Sequence, residues 1–257
     1  MRVLAIGDVV GKSGVEFLKF KLPKFKEENN IDLTIANGEN SAEGNGILPD
    51  SARQLLGNGV DIITNGNHTF RRWEIFAFLG ENRRVLRPYN YPSKKTPGVG
   101  FCKLTINGIR VCIINILGVA YLESMNLPLD AVDEALSKCN DCKVKIIDFH
   151  AEATAEKRAF GFYVDGRVSA VFGTHTHVQT SDEEVLFGGT GYITDVGMTG
   201  AIDSVLGVKK EISIKRMKDR MPARYENAVG PCKMECVIFD IDDGSGKTKS
   251  VERFRVT

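Results

Sequence analysis

Six short apolar runs, at residues 3–6, 33–36, 61–64, 110–116, 145–149 and 168–172, are nearly continuous in their hydrophobic character rather than alternating. A strand buried on one face shows a period of two; one buried on both faces does not. The runs therefore predict a sheet covered on each side. Amphipathic stretches at 13–29, 49–58, 71–79, 128–139 and 153–163 are the helices predicted to cover it. Pro49 and Pro128 open two of them, where a missing N–H is tolerated, and Pro23 is expected to kink or split the first. Asn107-Gly108 predicts a hairpin within 98–116, and 242–246 predicts a second near the C-terminus. The fold class is α/β with antiparallel pieces, read as a single domain over residues 1–257, with no repeat, low-complexity tract or dividing linker.

The ends of these runs carry the chemistry. The chain has four histidines, all in polar clusters that follow an apolar run: Asn67-His68, Phe149-His150 and Thr174-His175-Thr176-His177. Side chains at strand ends face the cleft of an α/β protein. In an extended segment residues i and i+2 project to one side, so His175 and His177 are expected to share that cleft. Asp8, Asn37-Gly38-Glu39-Asn40 and Asn65-Gly66-Asn67 end other runs in the same way. Taken singly, each histidine is more often a cap or a packing residue, and Glu39 or Asn67 a turn residue. The ordered set of carboxylate, amide and imidazole groups instead suits a centre for Mn, Fe or Zn.

The N-terminal Gly7-Asp8-Val9-Val10-Gly11-Lys12-Ser13 has the look of a phosphate-cradling P-loop, but only three residues separate its glycines, and Ile6 stands where the required glycine would be. A P-loop NTPase, with Lys12 on phosphate and Asp148 as the magnesium acid, is the mechanistic alternative. It leaves the histidines unexplained.

Charge and cysteine usage narrow the class. Lys and Arg number 34 against 33 Asp and Glu, so no global field draws the chain to duplex nucleic acid or to an anionic membrane. The N-terminus reaches Asp8 too early for a signal peptide, and no apolar run approaches the ~20 residues of a membrane span. A cytoplasmic location is expected. The six cysteines read as reduced thiols, with a zinc site from Cys139, Cys142, Cys232 and Cys236 as the less favoured reading. The basic stretch 209–220 reads as a solvated face, a substrate-phosphate clamp being the sharper alternative.

The ordered motifs, together with Asp148-Phe149-His150-Ala151-Glu152-Ala153-Thr154, Gly173-Thr174-His175-Thr176-His177-Val178-Gln179-Thr180 and Thr194-Asp195-Val196-Gly197-Met198-Thr199-Gly200, resemble the calcineurin-like metallophosphoesterases, and more narrowly the bacterial YmdB-like phosphodiesterases. The resemblance spans nearly the whole chain. It implies a four-layer α/β/β/α sandwich with a two-metal centre of Fe or Mn, or Zn, at the strand ends. Asp8 and His177 would hold one metal, Glu39 would bridge, and Asn40, Asn67, His150 and His175 would complete the second. His68 would stand beside them unligated as the general acid. Three positions depart from the superfamily pattern: Val10 replaces a histidine, Glu39 a bridging aspartate, and Thr69 an acid, which leaves the orienting partner of His68 unassigned.

The implied reaction is attack on a phosphodiester by a hydroxide bridging the metals, with His68 protonating the leaving alkoxide. The expected substrate is a small phosphodiester, a 2',3'-cyclic or 3',5'-cyclic nucleotide such as cyclic AMP, with Met198, Thr199 and residues 203–207 bordering its pocket. A non-catalytic cyclic-nucleotide sensor using the same site is the third reading. The sequence leaves room for a homo-oligomer.

Overall fold

The structure, a computed structural model, describes all of residues 1–257. In chain order the elements are β1 (Arg2–Ile6), β2 (Asp8–Val9), α1 (Gly11–Glu28), β3 (Leu33–Asn37), α2 (Pro49–Gly57), β4 (Ile62–Thr64), α3 (Ile75–Glu81), β5 (Phe101–Ile106), β6 (Ile109–Leu117), α4 (Pro128–Ser137), β7 (Val144–His150), α5 (Thr154–Val164), β8 (Ala170–Thr174), β9 (Glu184–Val185), β10 (Gly191–Ile193), β11 (Met198–Ala201), α6 (Lys210–Asp219), β12 (Cys232–Ile241) and β13 (Thr248–Val256). They form two sheets. The first has the order β2-β11-β12-β1-β3-β4 with β13 also on β12, and the second β5-β6-β7-β8-β10-β9.

Three buried clusters define four layers. Val3, Ala5, Leu33 and Ile35 of the first sheet pack with Val111, Ile113, Val144, Ile146 and Phe172 of the second. Their chain neighbours face outward: Leu4 and Ile6 pack with Val15, Leu18 and Leu22 of α1 and with Leu55 of α2. On the far side Ile114, Ile147 and Phe149 meet Val132 and Ala135 of α4 and Phe160 of α5. Both faces of each central strand are therefore apolar, which is why the runs do not alternate. At ~1.5–3 kcal/mol for each large aliphatic side chain withdrawn from water, this double coverage drives the α/β/β/α stacking.

The parallel strands β1, β3 and β4 of one sheet and β6, β7, β8 and β10 of the other bring their C-terminal ends to one edge of the sandwich. The antiparallel β12–β13 hairpin completes the first sheet beside β1. The Asn107-Gly108 hairpin forms as expected, with both residues at positive φ.

Two expectations are corrected. Helix α1 is not split at Pro23 but continues through it. Pro23 sits on the exposed side, where the carbonyl it frees can meet water, while Leu22 and Phe25 hold the helix to the core. The four-sulfur zinc site is also ruled out by placement: Cys139 and Cys142 lie under α4 on the second sheet, whereas Cys236 packs with α1 on the first. No helix is long and apolar enough to cross a membrane.

Candidate metal centre

Asp8 follows β1 and is fully buried. Its Oδ2 accepts the backbone N–H of His175 at 3.0 Å, while Oδ1 has no hydrogen-bond partner and lies 3.7 Å from His177 Nε2. A buried, unsatisfied carboxylate oxygen is costly unless a cation meets it. Burial, opposed by His177 and His150, pushes the Asp8 carboxyl above its ordinary value.

Glu39, just past β3, is buried too. Its Oε1 lies 3.2 Å from His150 Nε2 and 3.3 Å from His68 Nδ1, and its Oε2 accepts the His68 backbone N–H at 2.9 Å. Burial alone would raise Glu39, but the two imidazoles hold it well below the usual carboxylate range. The reciprocal effect overcomes burial at His150, which is raised to about 9 by Glu39. His175 moves the other way, to about 3, through burial and then the charge on His150. Carboxylates and imidazoles thus perturb one another across the floor of the cleft.

The ligating atoms of Glu39, His150 and His175 all lie within 4.8 Å of one another. Asn67 joins them through Oδ1, 3.0 Å from His150 Nε2, and His175 Nδ1 is 3.0 Å from the same nitrogen. Asn40 stands between the two poles, its Nδ2 3.2 Å from both Glu39 Oε1 and His177 Nε2. All eight residues expected at the site therefore meet in one cleft.

Positioning groups lie beneath. Thr174 Oγ1 donates to Asp148 Oδ1 at 2.7 Å, and its single proton is then spent, so it accepts from His150 Nδ1 at 2.9 Å and leaves Nε2 facing the cleft. Thr64 and Asn37 also donate to Asp148. His177 Nδ1 donates to the Leu206 carbonyl at 3.0 Å, and His175 Nε2 pairs with Glu152 at 2.8 Å. Each imidazole thus has one nitrogen anchored outside the cluster and the other turned toward its neighbours in the cleft. His175 and His177 do not occupy an extended segment as expected. They lie past β8 at φ 103° and 63°, a strained backbone of the sort that functional sites retain.

His68 is oriented by Asn40, whose Oδ1 is 2.9 Å from Nδ1. Thr69 instead donates to the Gly66 carbonyl at 2.5 Å. The P-loop alternative fails on both its residues: Asp148 is engaged by three donors under the cleft, and the Lys12 side chain, 81% exposed, pairs with Glu16 at 3.6 Å.

Above the floor is a cavity of about 390 Å³ walled by Leu206, Val208, Ser213, Tyr225 and Asn227. Of the residues expected to border it, Val205 and Leu206 do so, whereas Met198 and Thr199 are buried in β11. Tyr225, Asn227 and Glu152 were not anticipated as lining, and only Glu152 lay within a recognisable motif. The basic helix α6 buries none of its residues, and Lys209 and Lys210 form exposed pairs with Glu226 and Asp203, so most of its charge is a solvated face.

The orphaned Asp8 oxygen, the Glu39-His150-His175 cluster and the mixed nitrogen and oxygen donors fit divalent transition-metal ions. A family model described as YmdB-like protein matches residues 4–254. The chain is 44% identical over 257 residues to the 2',3'-cyclic-nucleotide 2'-phosphodiesterase of Bacillus subtilis (strain 168), covering 100% of this chain and 97% of the relative. Among solved structures it is similar to a hypothetical protein from Thermus thermophilus, with TM-score 0.94, 37% identity and coverage of 100% and 99% of the two chains. A novel phosphatase from Mycoplasma pneumoniae is matched at TM-score 0.94 and 32% identity, over 100% of this chain and 93% of that one.

Proposed function

The chain belongs to the YmdB-like protein family, and on that premise we propose that it is a dinuclear metal-dependent phosphodiesterase acting on nucleoside 2',3'-cyclic phosphates. The observation that carries this reading is the paired floor of the cleft: Asp8 with an unsatisfied buried oxygen beside His177, and the Glu39-His150-His175 cluster next to it. Asp8 and His177 would hold one ion, and Asn67, His150 and His175 the other, with Glu39 shared; Asn40 joins them only with its amide turned over, so that Oδ1 rather than Nδ2 faces the ions. When bound, the pair supplies Lewis acidity toward the phosphoryl oxygens and a water made nucleophilic near neutral pH.

The chain's own residues supply the rest. Leu206 O, Thr174 Oγ1 and Glu152 fix the three ligand imidazoles, so that no ring reorientation accompanies the reaction. Val205, Leu206 and Val208 give the cleft an apolar wall. His68, held at Nδ1 by Asn40, carries its transferable proton on Nε2 and delivers it to the departing ribose oxygen as the P–O2' bond breaks, leaving a 3'-phosphate. An alkoxide leaves poorly without that proton.

The relatives support phosphoester hydrolysis in general; the cyclic diester is favoured by the Bacillus subtilis relative. The test is a product assay with 2',3'-cyclic AMP, 3',5'-cyclic AMP and a phosphomonoester. Selective conversion of the first to 3'-AMP is expected. Release of inorganic phosphate from the monoester at a comparable kcat/KM would overturn the assignment, and metal and nucleotide binding without turnover would favour a sensor.

A further inference from the structure

Beside the cleft lies a second cavity of about 630 Å³, lined by Glu43, Gly44, Asn45, Arg71, Arg72, Arg224, Tyr225 and Glu226. It shares Gly44, Asn45 and Tyr225 with the wall of the metal cleft, so the two hollows adjoin across one loop and one ring. That loop is built around Arg72. Gly44 and Gly46 adopt φ of 86° and 82°, and the turn they allow lets Arg72 Nε donate to the Asn45 carbonyl at 3.0 Å and its Nη2 to the Glu43 carbonyl. A side chain at Gly46 would collide with Arg72. Tyr225 is held from its other side by the Arg216 guanidinium, 4.8 Å from the ring centroid.

The charge of this annex is unbalanced toward cations. Glu226 is neutralised by Lys209 at 2.6 Å, which leaves Glu43 against three arginines. Arg71 makes only a long, half-exposed contact of 3.7 Å with Glu123, and Arg224 is exposed with no ion pair or side-chain hydrogen bond in the structure. Planar guanidinium groups that are not spent on carboxylates are suited to the oxygens of a phosphate. The reading of the main site uses none of them, and its substrate has only the cyclic phosphate.

We propose that this annex, through Arg71 and Arg224, binds a second phosphate on the 5' oxygen of the same nucleoside, so that the preferred substrate is a 2',3'-cyclic phosphate carrying a 5'-phosphoryl group. Resting on the diesterase reading above, this extends it from a cyclic mononucleotide to a bis-phosphorylated end. Two sources share the chemistry: a free nucleoside 5'-phosphate 2',3'-cyclic phosphate, and the 3' end of a short RNA strand.

The experiment compares kcat/KM for adenosine 2',3'-cyclic phosphate, its 5'-phosphorylated form, and the dinucleotide ApA with a 2',3'-cyclic end, using the metal-loaded wild type and the Arg224→Ala and Arg71→Ala variants. A gain of roughly tenfold or more is expected from the added phosphate, a ratio that each variant lowers toward one and that falls as salt rises. A gain for both phosphorylated forms identifies the phosphate alone as the determinant; a larger gain for the dinucleotide identifies the strand end as the better source. Equal kcat/KM for all three substrates in the wild type, or a gain that both variants leave unchanged, would overturn the annex while sparing the diesterase. Turnover of none of them would overturn both.

Discussion

Lys157 Nζ and Asp195 Oδ2 form an ion pair of 2.6 Å in which each side chain is 1% exposed. The pair lies directly behind the histidine loop: Lys157 also donates to the Thr174 carbonyl at 2.8 Å, and Asp195 accepts the N–H groups of Thr176 at 3.1 Å and Gly197 at 2.9 Å. It ties α5 to the turn on which His175 and His177 stand. Removing one partner would leave a buried charge uncompensated, at a cost of about 3–5 kcal/mol. Asp195→Ala is expected to lose stability on that scale in denaturant unfolding and to bind metal more weakly with every ligand intact. In a double-mutant cycle, adding Lys157→Met should cost much less than Lys157→Met alone. Additive losses would show that the two groups act separately.

A glycine guards the second pole of the cleft. A Cβ at Gly66 would overlap the His150 ring and crowd Glu39 Oε2, so the Asn65-Gly66-Asn67-His68 turn can pass over the site only without a side chain. Gly66→Ala should therefore displace His150 and lower metal affinity by roughly 10–100-fold, as for other disturbed supports of metal ligands, while circular dichroism shows the fold retained. Wild-type metal affinity in that variant would contradict the packing.

On the proposed mechanism His68 serves the leaving group rather than the metals. His68→Ala is expected to keep its metal content and to slow hydrolysis of 2',3'-cyclic AMP by roughly 10²–10⁴-fold. An aryl diester, whose phenolate departs without a proton, should be affected far less. An equal loss on both substrates would remove the general-acid role.

How far these relationships were legible follows from where their signals lie. Strands such as residues 144–150 announce themselves because burial on both faces writes an unbroken apolar run, and the proposed ligands Glu39 and His150 end such runs. Lys157 gave no such signal. A lysine in an amphipathic helix reads as solvated, and only the three-dimensional approach of Asp195 makes it a buried ion. Tyr225 and Asn227 lie in an irregular segment whose path over the cleft is set by contacts remote in sequence, such as Ala228 N–H to the Gly207 carbonyl at 2.8 Å. Met198 and Thr199 lie in β11, a strand of four residues too short to register in the sequence, and are buried there rather than lining the cleft.

Acid sensitivity should be visible at Asp182. Burial acts to raise its pKa, but hydrogen bonds from Thr180 Oγ1 at 2.6 Å and from Thr194 outweigh it and hold the carboxyl below its ordinary range. A folded pKa below the unfolded value of about 3.9 adds stability above that pH, and the addition is lost as pH falls through the folded value. The stability difference between wild type and Asp182→Asn is thus expected to be largest near neutrality and to shrink below about pH 4. A difference that stays constant on acidification would contradict it.

The proposed dinuclear centre is tested most directly by stripping the protein of metal and titrating Mn²⁺ back while hydrolysis of 2',3'-cyclic AMP is followed. The arrangement of Asp8 and His177 beside Glu39, His150 and His175 predicts no turnover in the stripped protein and a rise that levels off at two equivalents. Undiminished turnover in the presence of chelator, or a plateau at one equivalent, would contradict it.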